Sequence, residues 1–230
     1  MLRWGLRLPP LSGSVGEPEG WRRHALVLVD LQHDFWSPET ASTAPHLPDR
    51  TTELLGFARR EGITVVHLRA RFAPDASNWM ARYRLRGWIP CVEGTPGVET
   101  LPFAVERVDE PVVVKHTFDG FLGTDLDDLL RRRGIGHVLI AGLVTSTCVL
   151  FTAASATQRG YLATVVTDCC SDRREAHEAT LATYPFVFGT VSSDEIAARR
   201  PEWEAALDRM GSPTIGEVGL SRPGGSPAQR

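Results

Sequence analysis

Six short apolar runs are set between longer amphipathic stretches, and this alternation narrows the fold more than any other feature of the chain. The runs are ALVLV (25–29), ITVVHL (63–68), PVVVK (111–115), HVLIAGL (137–143), LATVVT (162–167) and PFVFGTV (185–191). Runs of this length, without strict polar alternation, are what strands look like when helices cover both faces of their sheet. The intervening stretches read as helices at 48–61, 124–133, 146–159, 173–184 and 193–208; the last opens on a Ser-Asp-Glu cap region. Strand and helix in turn predict an α/β domain built on a parallel sheet of six strands.

One segment breaks the rhythm. Residues 69–110 carry Trp79, Trp88 and Gly/Pro turns but no clear period. An excursion that long inside a compact domain is usually functional, and it is expected to shape a pocket or an interface. The two ends, 1–22 and 211–230, are rich in Gly, Pro and Ser, with too little apolar surface to offset the entropy of ordering. They are expected to be flexible tails flanking a domain at 23–210.

Charge and cysteine usage exclude several classes. With 25 Lys+Arg against 28 Asp+Glu, interspersed, the chain has no basic face to make nucleic acid or an anionic membrane its main partner. The four cysteines, Cys91, Cys148, Cys169 and Cys170, show no C-x-x-C spacing, which argues against a disulfide framework or a zinc site and for a reducing compartment. The first twenty residues are interrupted by Arg3, Arg7 and prolines, unlike a secretory signal. The longest apolar stretch is broken by Thr145, Ser146 and Thr147, short of a membrane span. A cytoplasmic protein is expected.

In an open parallel sheet, ligands bind beyond the carboxyl ends of the strands, where the strand order reverses. Asp30 follows the first run, Lys115 ends the third, and Cys148 lies in a turn-to-helix segment after the fourth. Of the 25 basic residues 24 are arginine, so Lys115 is the single lysine. An Arg-heavy coding bias explains the scarcity of lysine, but not why one remains at this position. A compact ammonium fits between a carboxylate and a thiol where a wider guanidinium does not. A thiol attacks as thiolate, and a helix start and a cation are both expected to lower its pKa. Asp30 is suited to take the thiol proton and pass it to a leaving nitrogen. The backbone N–H groups of Val144 and Cys148 are the best placed to hold a developing oxyanion. The chemistry this arrangement implies is acyl transfer through a thioester, followed by water.

The same residues resemble the isochorismatase-like cysteine hydrolases, a family that includes nicotinamidases and carbamoyl- and ureido-amide hydrolases. The resemblance spans about 24–195 and rests on separated motifs in order. These are D-x-Q-x-D-F at Asp30, Gln32, Asp34 and Phe35; Lys115 followed by Phe121, Thr124 and Leu126; G-x-x-T-x-x-C-V at Gly142, Thr145, Cys148 and Val149; and a strand leading into Asp168 and His177. The resemblance implies a three-layer α/β/α sandwich and a catalytic triad of Asp30, Lys115 and Cys148. It further implies an oxyanion hole from the amides of Val144 and Cys148, a cis peptide between Leu143 and Val144, and a homo-oligomer, dimer or tetramer.

Departures from the family pattern narrow the expectation. Ala70 and Phe72 stand where nicotinamidases carry metal-binding Asp and His, so no metal or other cofactor is expected and nicotinamide is disfavoured as substrate. What remains is C–N hydrolysis of a small amide, ureide or lactam-like molecule. The rival readings are a vinyl ether hydrolase that uses Asp30 and Lys115 without the thiol, and a non-catalytic binding or scaffold protein on the same fold. Phe35, Trp79, Trp88, Phe121 and Thr147 are candidate substrate contacts, with core packing or a subunit interface as the plainer reading of Phe35 and the tryptophans. Of Arg69, Arg71, Arg82, Arg84 and Arg86, the first two, directly at a strand end, are the candidates for holding an anionic group. His33 and His116 adjoin catalytic candidates, while His177 reads as structural.

Overall fold

The computed structural model describes residues 20–211. The expected tails therefore lie outside the described residues except at their inner edges. There Trp21, assigned to the N-terminal tail by composition, is buried in the core and donates its indole N–H to Glu61 at 3.2 Å.

Six strands, β1 (His24–Val29), β2 (Thr64–Ala70), β3 (Val112–Lys115), β4 (His137–Leu143), β5 (Leu162–Ser171) and β6 (Gly189–Val191), form one sheet in the order β3-β2-β1-β4-β5-β6. Every pairing is parallel. Helices flank this sheet, the α/β/α arrangement expected. The central strands β1 and β4 are buried at every residue, which is why their sequences read as unbroken apolar runs. At the edge, β3 alternates exposed and buried side chains, so Val113 and Lys115 face inward while Val112 and Val114 face out.

The longer helices lie close to their expected ranges: α2 (Leu47–Glu61), α4 (Leu126–Arg132), α5 (Leu150–Gln158), α6 (Arg174–Thr183) and α7 (Ile196–Met210). In α2 the buried positions Leu47, Thr51, Leu54, Leu55 and Ala58 recur at helical spacing, and Gly62 closes the helix at φ 70°. Burying Leu54 and Leu55 stabilises this contact by about 1.5–3 kcal/mol each. A capping box between Ser192 and Glu195 starts the last helical stretch. Two short helices, α1 (Pro38–Thr43) and α3 (Ala81–Arg86), were not foreseen.

The strand order reverses between β1 and β4, which pair with Val29 opposite Gly142. Gly142 has φ 129°, and a Cβ there would overlap the carbonyl oxygen of Val29. Only glycine lets the two strands lie together at the point where the chain turns toward Cys148. The fold thus brings the ends of β1, β4 and the edge strand β3 to one rim of the sheet.

Candidate active site

Asp30 sits one residue past β1 in a left-handed conformation, φ 49°, that Asp tolerates better than most residues. Its N–H donates to Leu68 O at 3.1 Å and its carbonyl accepts the Gln32 N–H at 2.8 Å, so the carboxylate is fixed by its own backbone. Asp30 is fully buried, and Oδ1 accepts no hydrogen bond among the described residues. Lys115, the last residue of β3, is 1% exposed. Its ammonium lies 2.7 Å from Asp30 Oδ2 and donates to Thr117 O at 2.8 Å and to Cys148 Sγ at 3.5 Å. Three N–H groups thus meet three acceptors, one of them the candidate nucleophile.

Cys148 lies in a π-helical turn, Thr145–Val149, that runs directly into α5. The turn is held from outside. Asp172 accepts the Ser146 N–H at 2.9 Å and its hydroxyl at 2.6 Å, and Thr145 Oγ1 lies 2.8 Å from His177 Nδ1. The Leu143–Val144 peptide is cis. The Val144 carbonyl accepts from the N–H groups of Thr147 and Val149, while the Val144 N–H has no acceptor among the described residues.

The electrostatics correct one expectation. Burial first, and then the Asp30 carboxylate, push the Cys148 thiol up to about 12, and Lys115 only partly opposes them. A low thiol pKa was expected from a helix start and a cation, but that cation is already paired with a carboxylate, and the thiol is buried. Burial alone would lower the Lys115 ammonium; Asp30 and Cys148 outweigh it and hold it above its usual value. The resting site is therefore a thiol beside a carboxylate–ammonium pair, with the proton on sulfur.

The remaining motif residues brace this site. Gln32 donates to Ala70 O and Val98 O, both at 2.8 Å, and accepts the Ala70 N–H at 2.9 Å. Asp34 accepts the Cys91 N–H at 2.6 Å. Both tie the 69–110 excursion to the end of β1. Asp168 lies elsewhere: it accepts the N–H and hydroxyl of Ser193 at 2.8 and 2.6 Å, so the acid that serves the Cys148 turn is Asp172, four residues on and just past the end of β5. Nothing in the sequence separated the two; only the length of β5 does.

The candidate substrate contacts divide. Thr147 adjoins the thiol, its hydroxyl 4.0 Å from Sγ, and Phe35 packs between the main core and a small cluster of Ala70, Phe72, Ile89 and Cys91. Trp79 packs on that cluster and donates its indole N–H to Ala73 O at 2.7 Å. One expectation is corrected. Phe121 is buried and stacked on Tyr161, just before β5 at the opposite end of the sheet, so it faces away from the thiol. Trp88 is 62% exposed beyond α3. Arg69 is buried, with Nη2 bound to Glu106 at 2.6 Å and Nη1 without a hydrogen-bond partner among the described residues, and Arg71 lies 3.8 Å from Glu93. His33 and His116 are exposed. Sequence reasoning missed Tyr83 of α3, which lies within electrostatic reach of Cys148 and Lys115. Its helix has a glycine C-cap at Gly87 but no side-chain cap at its start, at Met80, to reveal it.

Ala70 and Phe72 offer no ligand, and among the described residues no group of three or more His, Cys, Asp or Glu could hold a metal ion. All four cysteines are free and buried. No described helix is long and apolar enough to cross a membrane.

Residues 24–196 match the isochorismatase domain model. The chain belongs to the isochorismatase family. This isochorismatase-family hydrolase is 29% identical over 198 residues to a maleamate amidohydrolase of Pseudomonas putida, covering 82% of this chain and 92% of that protein. A solved isochorismatase family protein from Desulfovibrio vulgaris superposes with a TM-score of 0.71 at 31% identity, over 78% of this chain and 99% of that one. An N-carbamoylsarcosine amidase from Thermoplasma acidophilum superposes with a TM-score of 0.61 at 30% identity, over 75% and 98%.

Proposed function

We propose that the protein hydrolyses the C–N bond of a small amide, ureide or lactam-like molecule through a thioester on Cys148, without a metal. The observation that carries this reading is the single ammonium of Lys115, 2.7 Å from Asp30 and 3.5 Å from the Cys148 sulfur.

The proton on sulfur moves to Asp30 as Sγ attacks the substrate carbonyl. Before the transfer the pocket holds a carboxylate, an ammonium and a thiol; after it, a carboxylic acid, an ammonium and a sulfur that takes up the charge. The net charge of the buried site is the same in both states, and Lys115 changes partner without moving. That is how a thiol raised to about 12 is activated at neutral pH. The oxyanion that forms on the carbonyl oxygen is met by the N–H groups of Val144 and Cys148. As the tetrahedral intermediate collapses, Asp30 gives its proton to the nitrogen, and ammonia or an amine departs. Water then attacks the thioester with Asp30 as base, which releases the acid and returns the proton to sulfur.

The names of two relatives, a maleamate amidohydrolase and an N-carbamoylsarcosine amidase, support the choice of an amide bond. Four buried free thiols fit a reducing, cytoplasmic setting. A homo-oligomer belongs to the same reading and is tested by light scattering. The test of the chemistry is an ammonia-release screen over small amides, ureides and lactams. The expected result is turnover of at least one substrate by the wild type and none by Cys148→Ala or Asp30→Asn; near-wild-type hydrolysis in either variant would overturn the mechanism.

A further inference from the structure

Of the three acceptors around the Lys115 ammonium, Asp30 and Cys148 belong to the proton transfer proposed above, and the third is the Thr117 carbonyl. The contacts to Asp30 and Thr117, 2.7 and 2.8 Å, are the short ones, while the sulfur stands further off at 3.5 Å. The two short contacts therefore fix the ammonium, and its distance from the thiol follows from where they hold it.

Thr117 opens a loop, 117–121, that is fastened to the helix into which Cys148 leads. The Thr117 hydroxyl donates to Asp119 O at 3.0 Å. The Asp119 carboxylate accepts the Phe121 N–H on Oδ1 and the Ser155 hydroxyl on Oδ2, both at 2.8 Å. Between them the Gly120 N–H donates to the Thr152 hydroxyl at 3.0 Å. Thr152 and Ser155 are buried and, at helical spacing in α5, share the face that meets the loop. A Cβ on Gly120 would overlap the Leu68 side chain and press on Thr152, so the loop lies close against both β2 and α5.

This fastening matters most when Asp30 is protonated. A neutral carboxylic acid holds an ammonium less firmly than a carboxylate does, and the Thr117 carbonyl is then the short contact that keeps Lys115 in place. We propose that Asp119 is a positioning residue: by tying the 117–121 loop to Ser155 of α5, it holds the Thr117 carbonyl, and with it the Lys115 ammonium, against Cys148 while the proton is on Asp30. This rests on the thiol-to-Asp30 transfer of the amide-hydrolase reading above.

The test compares wild type with Asp119→Ala, Asp119→Asn and Ser155→Ala on an amide chosen by ammonia release. Asp119→Ala should lower kcat about ten- to a hundredfold with KM within about twofold, because a misplaced ammonium slows the transfer and not the binding of substrate. Ser155→Ala removes one hydrogen bond of the tie and should lower kcat about three- to tenfold; it carries the comparison if Asp119→Ala does not fold. Asp119→Asn can still accept the Phe121 N–H and reach the Ser155 hydroxyl, so it should keep kcat within about threefold of wild type. An unchanged kcat in Asp119→Ala or Ser155→Ala, an Asp119→Asn as impaired as Asp119→Ala, or a loss carried by KM would overturn the assignment while leaving amide hydrolysis intact. A second arm needs no turnover: alkylation of Cys148 by iodoacetamide at pH 9, followed by peptide mapping. Asp119→Ala and Ser155→Ala should react about threefold more slowly than wild type and Asp119→Asn, since a displaced ammonium no longer opposes burial and Asp30 at the sulfur. Slower alkylation in those two variants of a protein that releases no ammonia would sustain this inference and sink the amidase reading; rates unchanged or raised would overturn the inference.

Discussion

Replacing Lys115 with methionine removes the ammonium but keeps a side chain of similar reach, and it leaves the Asp30 carboxylate buried without its cation. Asp30 and Lys115 have side-chain exposures of 0% and 1%, and their charged atoms are 2.7 Å apart. At an effective dielectric of about 20, unit charges at that separation attract by about 6 kcal/mol. Relaxation and proton uptake by the stranded carboxyl reduce the net loss, and broken buried pairs typically cost about 3–5 kcal/mol. Arg69 also acts on Asp30 but is held by Glu106 at 2.6 Å, so it does not replace the lysine. Urea unfolding at pH 7.5 should show a loss of about 3–5 kcal/mol, or a Tm lower by roughly 6–20 °C for a domain of this size. The double variant Asp30→Asn, Lys115→Met removes both charges and should recover most of that loss while remaining inactive. A single variant within about 1 kcal/mol of wild type, or a double variant no better than the single, would refute the buried pair as the organising charge interaction of the site.

Further tests address the groups around it. Glu204 Oε1 lies 2.8 Å from His24 Nε2, His24 Nδ1 lies 2.8 Å from His137 Nδ1, and His137 Nε2 lies 2.9 Å from the Thr164 hydroxyl, a chain satisfied by two neutral imidazoles. Burial, with Arg200 and Arg23 adding to it against Glu204, lowers His24; burial and His24 lower His137 well below its ordinary value. The unfolded chain therefore binds more protons than the folded one below about pH 6.5, and stability should fall by up to about 1.4 kcal/mol per pH unit for each histidine as the pH drops through that range. Equal stability by urea unfolding at pH 7.5 and 5.5 would contradict it. Iodoacetamide should alkylate Cys148 slowly, at a rate still rising above pH 9, since the thiol is pushed up to about 12; a plateau by pH 7 would show a resting thiolate. Asp172→Ala frees Ser146 and should lower kcat by about ten- to a hundredfold by loosening the Cys148 turn, with a small change in Tm. An unchanged kcat would remove Asp172 from the site.

The sequence made the sheet legible because buried parallel strands have little freedom in composition: each of the six runs overlaps a strand of the structure. Their ends were less visible. β5 runs on through Asp168, Cys169, Cys170 and Ser171, past an irregularity in its pairing with β4, so polar residues that look like a loop are still strand. That extension is why Asp172 rather than Asp168 reaches the Cys148 turn. β6 begins only at Gly189 because Val187 and Phe188 turn back to hydrogen-bond Tyr184. The positions of Asp30, Lys115 and Cys148 followed from where ligands bind on such a sheet. The state of the thiol did not, because it depends on burial and on which charge Lys115 already serves, and neither is written in spacing. Phe121 illustrates the same limit: the motif names it, but its direction is set by stacking on Tyr161. Tyr83 was hidden because its short helix has no side-chain cap at its start and no period, and its place comes from packing against residues distant in sequence.

The most direct test is the mass of Cys148 during turnover. With the best amide from the ammonia screen, acid quench followed by peptide mapping should find the acyl group on the Cys148 peptide, labile to hydroxylamine as a thioester is, and absent from Cys148→Ala. Steady turnover with no adduct on that peptide, together with ammonia release by Cys148→Ala, would contradict covalent catalysis by this thiol.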